Sequence, residues 1–176
     1  MDTFFTGDNH FNHANIIKYS KRPFKDVDEM NETMIVNWNA KVKRDDLIYV
    51  LGDFIFGDWN KIIRRLNGKI FLILGSHDGN VFDCKDFLYD IKRLHEFKQG
   101  GFDITLCHYA MRVWPRSHFN SWHLYGHSHG YLESFGKSFD IGVDAQNFFP
   151  LSLEEVKKKM DKLPDNFNLV KKDNQA

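Results

Sequence analysis

A single α/β domain is predicted from three features of the sequence. Apolar runs of strand length recur, and five of them close on a small cluster of Gly, Asp or His. Segments with helical spacing separate the first three runs. In the second half the runs shorten and the links between them contract. The five junctions are TFFT into Gly7-Asp8-Asn9-His10, LIYVL into Gly52-Asp53, IFLIL into Gly75-Ser76-His77-Asp78, ITLC into His108, and HLY into Gly126-His127-Ser128-His129. Open α/β sheets bind ligands just beyond the carboxyl ends of their strands. Five strands ending in such residues are expected to line one crevice of oxygen and imidazole ligands, which is hard to explain without bound metal.

Residues 2–6 read as the first strand and 12–19 as a short helix capped by Asn12. Lys21-Arg22-Pro23-Phe24 is a turn. Asp26 then caps a longer helix over 27–42, with Met30, Met34, Ile35 and Trp38 on one face at helical spacing. Residues 47–51 are the second strand, and 60–66 a helix stopped by Asn67-Gly68. Residues 70–74 are the third strand, so the first part is βαβ-like and its strands are expected to be parallel. The second part reads as short strands at 91–97, 104–107, 123–125, 131–135 and 138–143, a more antiparallel pattern. Ser152 caps a last helix through about 162, with Glu155 completing a capping box. With no internal repeat, low-complexity tract or linker, the domain is assigned to 1–163, followed by a polar, frayed tail over 164–176.

Hydrophobic residues make up 42% of the 176 positions and aromatics 15%, which places the chain among globular proteins rather than disordered ones. No apolar stretch approaches the roughly 20 residues that span a bilayer. The chain opens directly on a strand, without the charged and apolar regions of a secretion signal. Its two cysteines, Cys84 and Cys107, do not form a disulfide framework, so a reducing, cytoplasmic setting is expected. Lys plus Arg equals Asp plus Glu at 24 each, which argues against a dedicated nucleic-acid binder because polynucleotide binding leaves a basic footprint.

Asp8 and His10 are two apart, and in an extended segment such positions point to the same side and reach one ion. His127 and His129 repeat that spacing. Carboxylate plus imidazole suits Mn, Fe or Zn, and the lack of clustered Cys argues against a structural zinc site. Asp53 can bridge two ions through its two oxygens, and two ions a few Å apart can clamp a phosphate for in-line attack by water.

Asp8-x-His10, Gly52-Asp53, Gly75-Ser76-His77-Asp78, His108 and Gly126-His127-Ser128-His129 resemble, in order, the D-x-H, G-D, G-N-H-[DE], H and G-H-x-H motifs of the calcineurin-like metallophosphoesterases. The resemblance covers about residues 1–160, and five ordered motifs make it specific. Asn15-Ile16-Ile17, Arg22-Pro23-Phe24 and Ser121-Trp122-His123-Leu124-Tyr125 are similar to the small bacterial and phage single-domain members. The resemblance implies a four-layer αββα sandwich with two mixed β-sheets. It implies a binuclear phosphoesterase acting through a metal-activated water, with a phosphodiester favoured over a monoester. Non-catalytic scaffolds of the same fold are the competing class.

Carried over by motif, Asp8, His10 and His129 bind the first ion, Asp53 bridges, and His108 and His127 bind the second, with Ser76 where the family has Asn. His77 is the general acid or a donor to the phosphate, and Asp78 orients it. Two divalent ions are implied, Mn2+ first, with Fe, Zn, Ni and Co as alternatives. The shorter Ser76 hydroxyl is expected to weaken the second site. His13, Arg22 and Arg112 are candidate phosphate contacts, and His118 and Trp122 candidate pocket residues. His95 and His123 are expected to be structural, Cys107 a buried thiol, and Lys157-Lys158-Lys159 a solvated helix face. The expected partner is a small, nucleotide-like phosphorylated substrate.

Overall fold

The computed structural model describes residues 1–79 and 81–170. β1 (Thr3–Thr6), β2 (Leu47–Val50) and β3 (Lys69–Ile73) run parallel; α1 (Ile16–Tyr19) and α2 (Val27–Lys41) lie in the first crossover and α3 (Asn60–Ile63) in the second. β4 (Asp90–Lys92) adds to one edge in parallel, and β9 (Leu151–Ser152) adds to the other antiparallel to β1, giving the order β4-β3-β2-β1-β9. A second sheet holds β5 (Leu94–Gln99), β6 (Phe102–Cys107), β7 (Trp122–Tyr125) and β8 (Ser138–Asp140) in that order, and α4 (Leu153–Met160) follows β9 directly. The α/β class with two mixed sheets holds.

Strand alternation divides the first sheet between two cores. Phe4, Ile48, Val50, Ile70 and Leu72 face α2 and α3, where Met30, Met34, Ile35 and Trp38 form the buried stripe. Phe5, Tyr49, Phe71 and Ile73 face the other way, onto Ile104, Leu106, Leu124 and Phe139 of the second sheet and Val156 and Met160 of α4. The helix starts are those the sequence marks: the Asp26 carboxylate accepts from the Glu29 N–H, and Ser152 and Glu155 form a reciprocal capping box. On the outer face of the second sheet, Trp114 of the 109–121 loop packs its ring 5.4 Å from His123.

Several expected elements differ. The 91–97 run is two strands in two sheets, β4 and β5, with the chain changing sheets at Arg93. The second sheet is not mainly antiparallel: only β5–β6 is, while β6–β7 and β7–β8 are parallel. The links after β6 and β7 run to about a dozen residues, long enough for parallel crossovers rather than hairpins. Residues 131–135 form no strand; all five are exposed and have no sheet face to pack on. The 12–19 helix is one turn, because Asn12 sits at φ 65° and spends its amide on the Phe56 carbonyl and its Oδ1 on Asn31. The tail is not frayed at Asn166, which is buried and donates to the carbonyls of Ser117 and Ser121 while accepting from the Lys137 N–H. Residues 171–176 of the expected tail lie outside the described residues. No helix among the described residues is long and apolar enough to cross a membrane.

Candidate metal centre

The loops after β1, β2, β3, β6 and β7 meet at one end of the two sheets. Backbone bonds zip the first two together: Asp8 N–H to Gly52 O at 3.0 Å, His10 N–H to Asp53 O at 2.9 Å, and Phe11 N–H to Phe54 O at 3.0 Å. The loop after β7 is pulled in by the His127 N–H on Asp8 Oδ2 at 2.7 Å. Convergence does not come from strand alternation, as the D-x-H spacing suggests. Asp8, His10, Asp53, His127 and His129 all sit at φ between 49° and 66°, the left-handed region. Each costs a non-glycine residue roughly 1–2 kcal/mol, and such strain concentrates at functional sites.

Two groups of ligand-type side chains result: Asp8, His10 and His129, and Asp53, His108 and His127, with the donor atoms of each group within 4.8 Å of one another. Asp53 Oδ2 lies 3.7 Å from His10 Nε2 and 3.6 Å from His108 Nε2, between the two groups. Gly52 and Gly75 leave the room this needs, since a Cβ would fall 2.5 Å from His108 Nδ1 and 2.4 Å from Asp53 Oδ1 respectively.

The donor set fits divalent metal. Asp8 Oδ1, His10 Nε2 and His108 Nε2 are buried without a hydrogen-bond partner, a costly state unless something else satisfies them. The Nδ1 atoms are occupied: that of His108 faces Leu51 O at 2.7 Å, that of His129 faces Asp144 Oδ2 at 2.7 Å, and that of His10 faces His13 Nδ1 at 3.3 Å. With Nδ1 engaged, each ring keeps Nε2 for an ion. Burial, then the nearby Arg22 cation, pushes the His10 pKa down to about 2, so the ring is neutral and can ligate. Burial and the neighbouring Asp140 and Asp53 carboxylates push Asp8 well above the usual carboxylate range. A cation between the carboxylates relieves that repulsion.

The expected ligands Asp8, His10, Asp53, His108, His127 and His129 all come together. Ser76 reaches the same place, its Oγ 3.1 Å from Asp53 Oδ2. His77 is exposed in the cleft, its ring 5.2 Å from Phe56, while its backbone N–H donates to Asp53 Oδ1 at 2.9 Å. His13 lies on the cleft wall, stacked on Phe56 at 4.3 Å.

Six expectations are not met. Asp78 does not orient His77: its oxygens accept the N–H groups of Asp53, Phe54 and Gly75 at 2.7–2.9 Å, so it shapes the Asp53 loop. Arg22 is no phosphate clamp. Its side chain is fully buried, bidentate on Asp144 at 2.8 Å and donating to the carbonyls of Asp8 and Asn9. Arg112 lies away from the site, stacked over Phe135 at 4.6 Å. His118 is exposed outside the cleft, and Trp122 stacks on Phe102 at 3.9 Å in the core. Cys107 is half-buried rather than buried.

Two residues escaped the sequence reading. Asp140 binds the Ser128 hydroxyl and the Gly130 and Gly142 N–H groups at 2.6–2.8 Å, holding the loop after β7. Asp144 holds His129. Neither stands in one of the polar clusters that follow the five apolar runs; Asp140 ends β8, and only the Asp-Ile-Gly-Val-Asp spacing marks the pair.

No protein-family model matches the chain. Protein MJ1445 of Methanocaldococcus jannaschii, described as uncharacterized, is 35% identical over 174 residues, covering 90% of this chain and 91% of that protein. The chain belongs to the family of MJ1445. Gene 66 protein of Mycobacterium phage L5 is 33% identical over 84 residues, 44% of this chain and 40% of the phage protein. The crystal structure of AQ665 from Aquifex aeolicus, described as a protein of unknown function, superposes with a TM-score of 0.72 at 25% identity, over 90% of this chain and 98% of that one. The shared fold therefore extends over nearly the whole of that protein.

Proposed function

We propose that the protein is a binuclear metal-dependent phosphoesterase of the calcineurin-like type that hydrolyses a phosphodiester. One observation carries the reading: the Asp53 carboxylate stands within 3.7 Å of an otherwise unsatisfied imidazole nitrogen of each group, His10 Nε2 and His108 Nε2. The four-layer αββα sandwich belongs to the same reading. In this chain the 109–121 loop lies on the outer face of the second sheet.

Two divalent ions, Mn2+ first among the candidates, supply charge stabilisation of the phosphate and a lowered pKa for water when bound. The chain's own residues do the rest. Asp8, His10 and His129 would hold one ion and Asp53, His108 and His127 the other. His77 faces the cleft and donates a proton to the departing oxygen. His13 and Phe56 form the adjoining wall, and Tyr19 and Tyr131 the exposed rim.

Charge supports the diester. Among the described residues, no Lys or Arg lines the cleft, which is about 490 Å³. Once Arg22 and Arg112 are placed elsewhere, no guanidinium remains to match the second negative charge of a terminal phosphate, whereas a diester carries one. The flat rings at the rim and the neutral net charge support a small nucleotide-like substrate over a polynucleotide.

The test is turnover of bis(p-nitrophenyl) phosphate against p-nitrophenyl phosphate by chelator-stripped protein reloaded with manganese. Diester preference is expected, with His77→Ala lowering kcat about 10²–10⁴-fold. Monoester preference overturns the diester reading, and metal binding without turnover of either overturns the enzyme.

A further inference from the structure

We propose that Asp144, gripped by Arg22, is the positioning carboxylate of His129 and makes the Asp8–His10–His129 group the tighter half of the two-ion centre. The inference rests on the phosphoesterase reading only in needing the centre to take metal.

Asp144 Oδ2 is 2.7 Å from His129 Nδ1, which fixes that ring and turns its Nε2 toward Asp8 and His10. A carboxylate behind an imidazole raises the basicity of the other nitrogen more than a neutral acceptor does. Asp144 is itself held: Arg22 Nε meets Oδ1 and Nη2 meets Oδ2, both at 2.8 Å, in a side-on pair. The same guanidinium donates to Asp8 O at 2.7 Å and Asn9 O at 2.8 Å, within the turn that carries the other two ligands. One buried cation thus secures all three members of the group from behind, across 122 positions of sequence.

In the other group Asp78 braces the Asp53 loop through backbone N–H groups, but no carboxylate hydrogen-bonds the outer nitrogen of either imidazole among the described residues. His108 leans on a neutral acceptor, the Leu51 carbonyl. The His127 ring is exposed and packs edge-on against His108 and Tyr109 at 5.1 and 4.8 Å. Ser76 Oγ rests on Asp53. Pre-organisation is therefore unequal, and the ion beside His129 is held more tightly.

The experiment is Mn2+ titration of the stripped full chain by calorimetry, with Asp144→Asn and Arg22→Lys alongside. Two phases of unequal affinity are expected in the natural protein. Asp144→Asn should weaken the tighter phase about 10–100-fold and leave the weaker one in place. Arg22→Lys, a point charge that cannot hold both oxygens and both carbonyls, should weaken the same phase by less. Equal loss in both phases marks a general structural tie and overturns the proposal, as does an unaltered tighter phase. If the variants do not fold, nitrogen-15 NMR of the natural protein decides: an exchange-protected Nδ1–H on His129 is required, and an Nε2–H tautomer overturns it. No manganese uptake by the natural protein overturns this proposal and the phosphoesterase reading together. Uptake with unaltered variants overturns this one alone.

Discussion

Acid should destabilise the protein through His123, a residue outside the candidate site. Its ring is buried in β7, with Nδ1 on the Thr105 carbonyl at 3.1 Å and Nε2 accepting the Met111 N–H at 3.1 Å. Both nitrogens are committed in the neutral form, and protonating Nε2 would set it against a donor. Burial is the main cause that lowers its pKa from 6.5 to about 4, partly offset by the carbonyls of Thr105 and Tyr109. Between those values the unfolded chain binds the proton and the folded one does not, so stability rises with pH across that window. The full difference is about 3 kcal/mol, of which about 2 kcal/mol is lost on going from about pH 7.5 to about pH 5. Urea unfolding followed by tryptophan fluorescence, with chelator present, measures it. His123→Gln cannot titrate, so the stability gap between natural protein and variant should shrink by about 2 kcal/mol over that range. A gap that stays the same at both pH values refutes the assignment, because the other histidines titrate equally in both proteins.

Further outcomes follow from single positions. Lys21 sits at φ 52° where α1 ends, with the Arg22 N–H closing back on Ile17 O at 2.9 Å. Lys21→Gly should therefore stabilise by about 1 kcal/mol and raise Tm by roughly 2–4 °C in a thermal melt. Ser76→Asn should tighten the weaker manganese phase, since an amide oxygen is a longer and better donor than the hydroxyl; calorimetry showing two equally tight sites in the natural protein sinks this. Gly52→Ala places a methyl 2.5 Å from His108 Nδ1 at φ 82°. It should cost about 2 kcal/mol or more in chemical unfolding and abolish the ion held by His108; a variant that unfolds and binds manganese like the natural protein counts against the cradle.

The ligand set was legible because each member stands at the end of an apolar run, where chain order alone brings the clusters to one end of a sheet. That Asp8, His10, Asp53, His108, His127 and His129 come together needed no side-chain detail; their role as ligands is the proposed part. The parallel strands β1–β3 of the first sheet, α2 and α4 were legible for a similar reason: local periodicity and caps such as Asp26 and Ser152 act within a few residues. The second sheet was harder. Its pairing depends on which strand lies beside which, and the switch at Arg93 carries no local mark, since β4 and β5 are separated by one residue.

Residues that act through another residue were least legible. Arg22 reads as a surface guanidinium beside a proline, and Asp144 as one more acid in a loop; their meaning appears only when 122 positions close up. The same closure reverses the functional sense of Arg22. A guanidinium free in a cleft would grip phosphate, whereas this one has Nε, Nη1 and Nη2 all engaged and no exposure. That leaves no guanidinium among the described residues of the cleft to meet an anion. Among the described residues, the bracing of the site thus takes Arg22 out of the cleft. Arg22 serves the loop that carries Asp8 and His10, and the proposed preference for a singly charged ester rests on its absence from the surface.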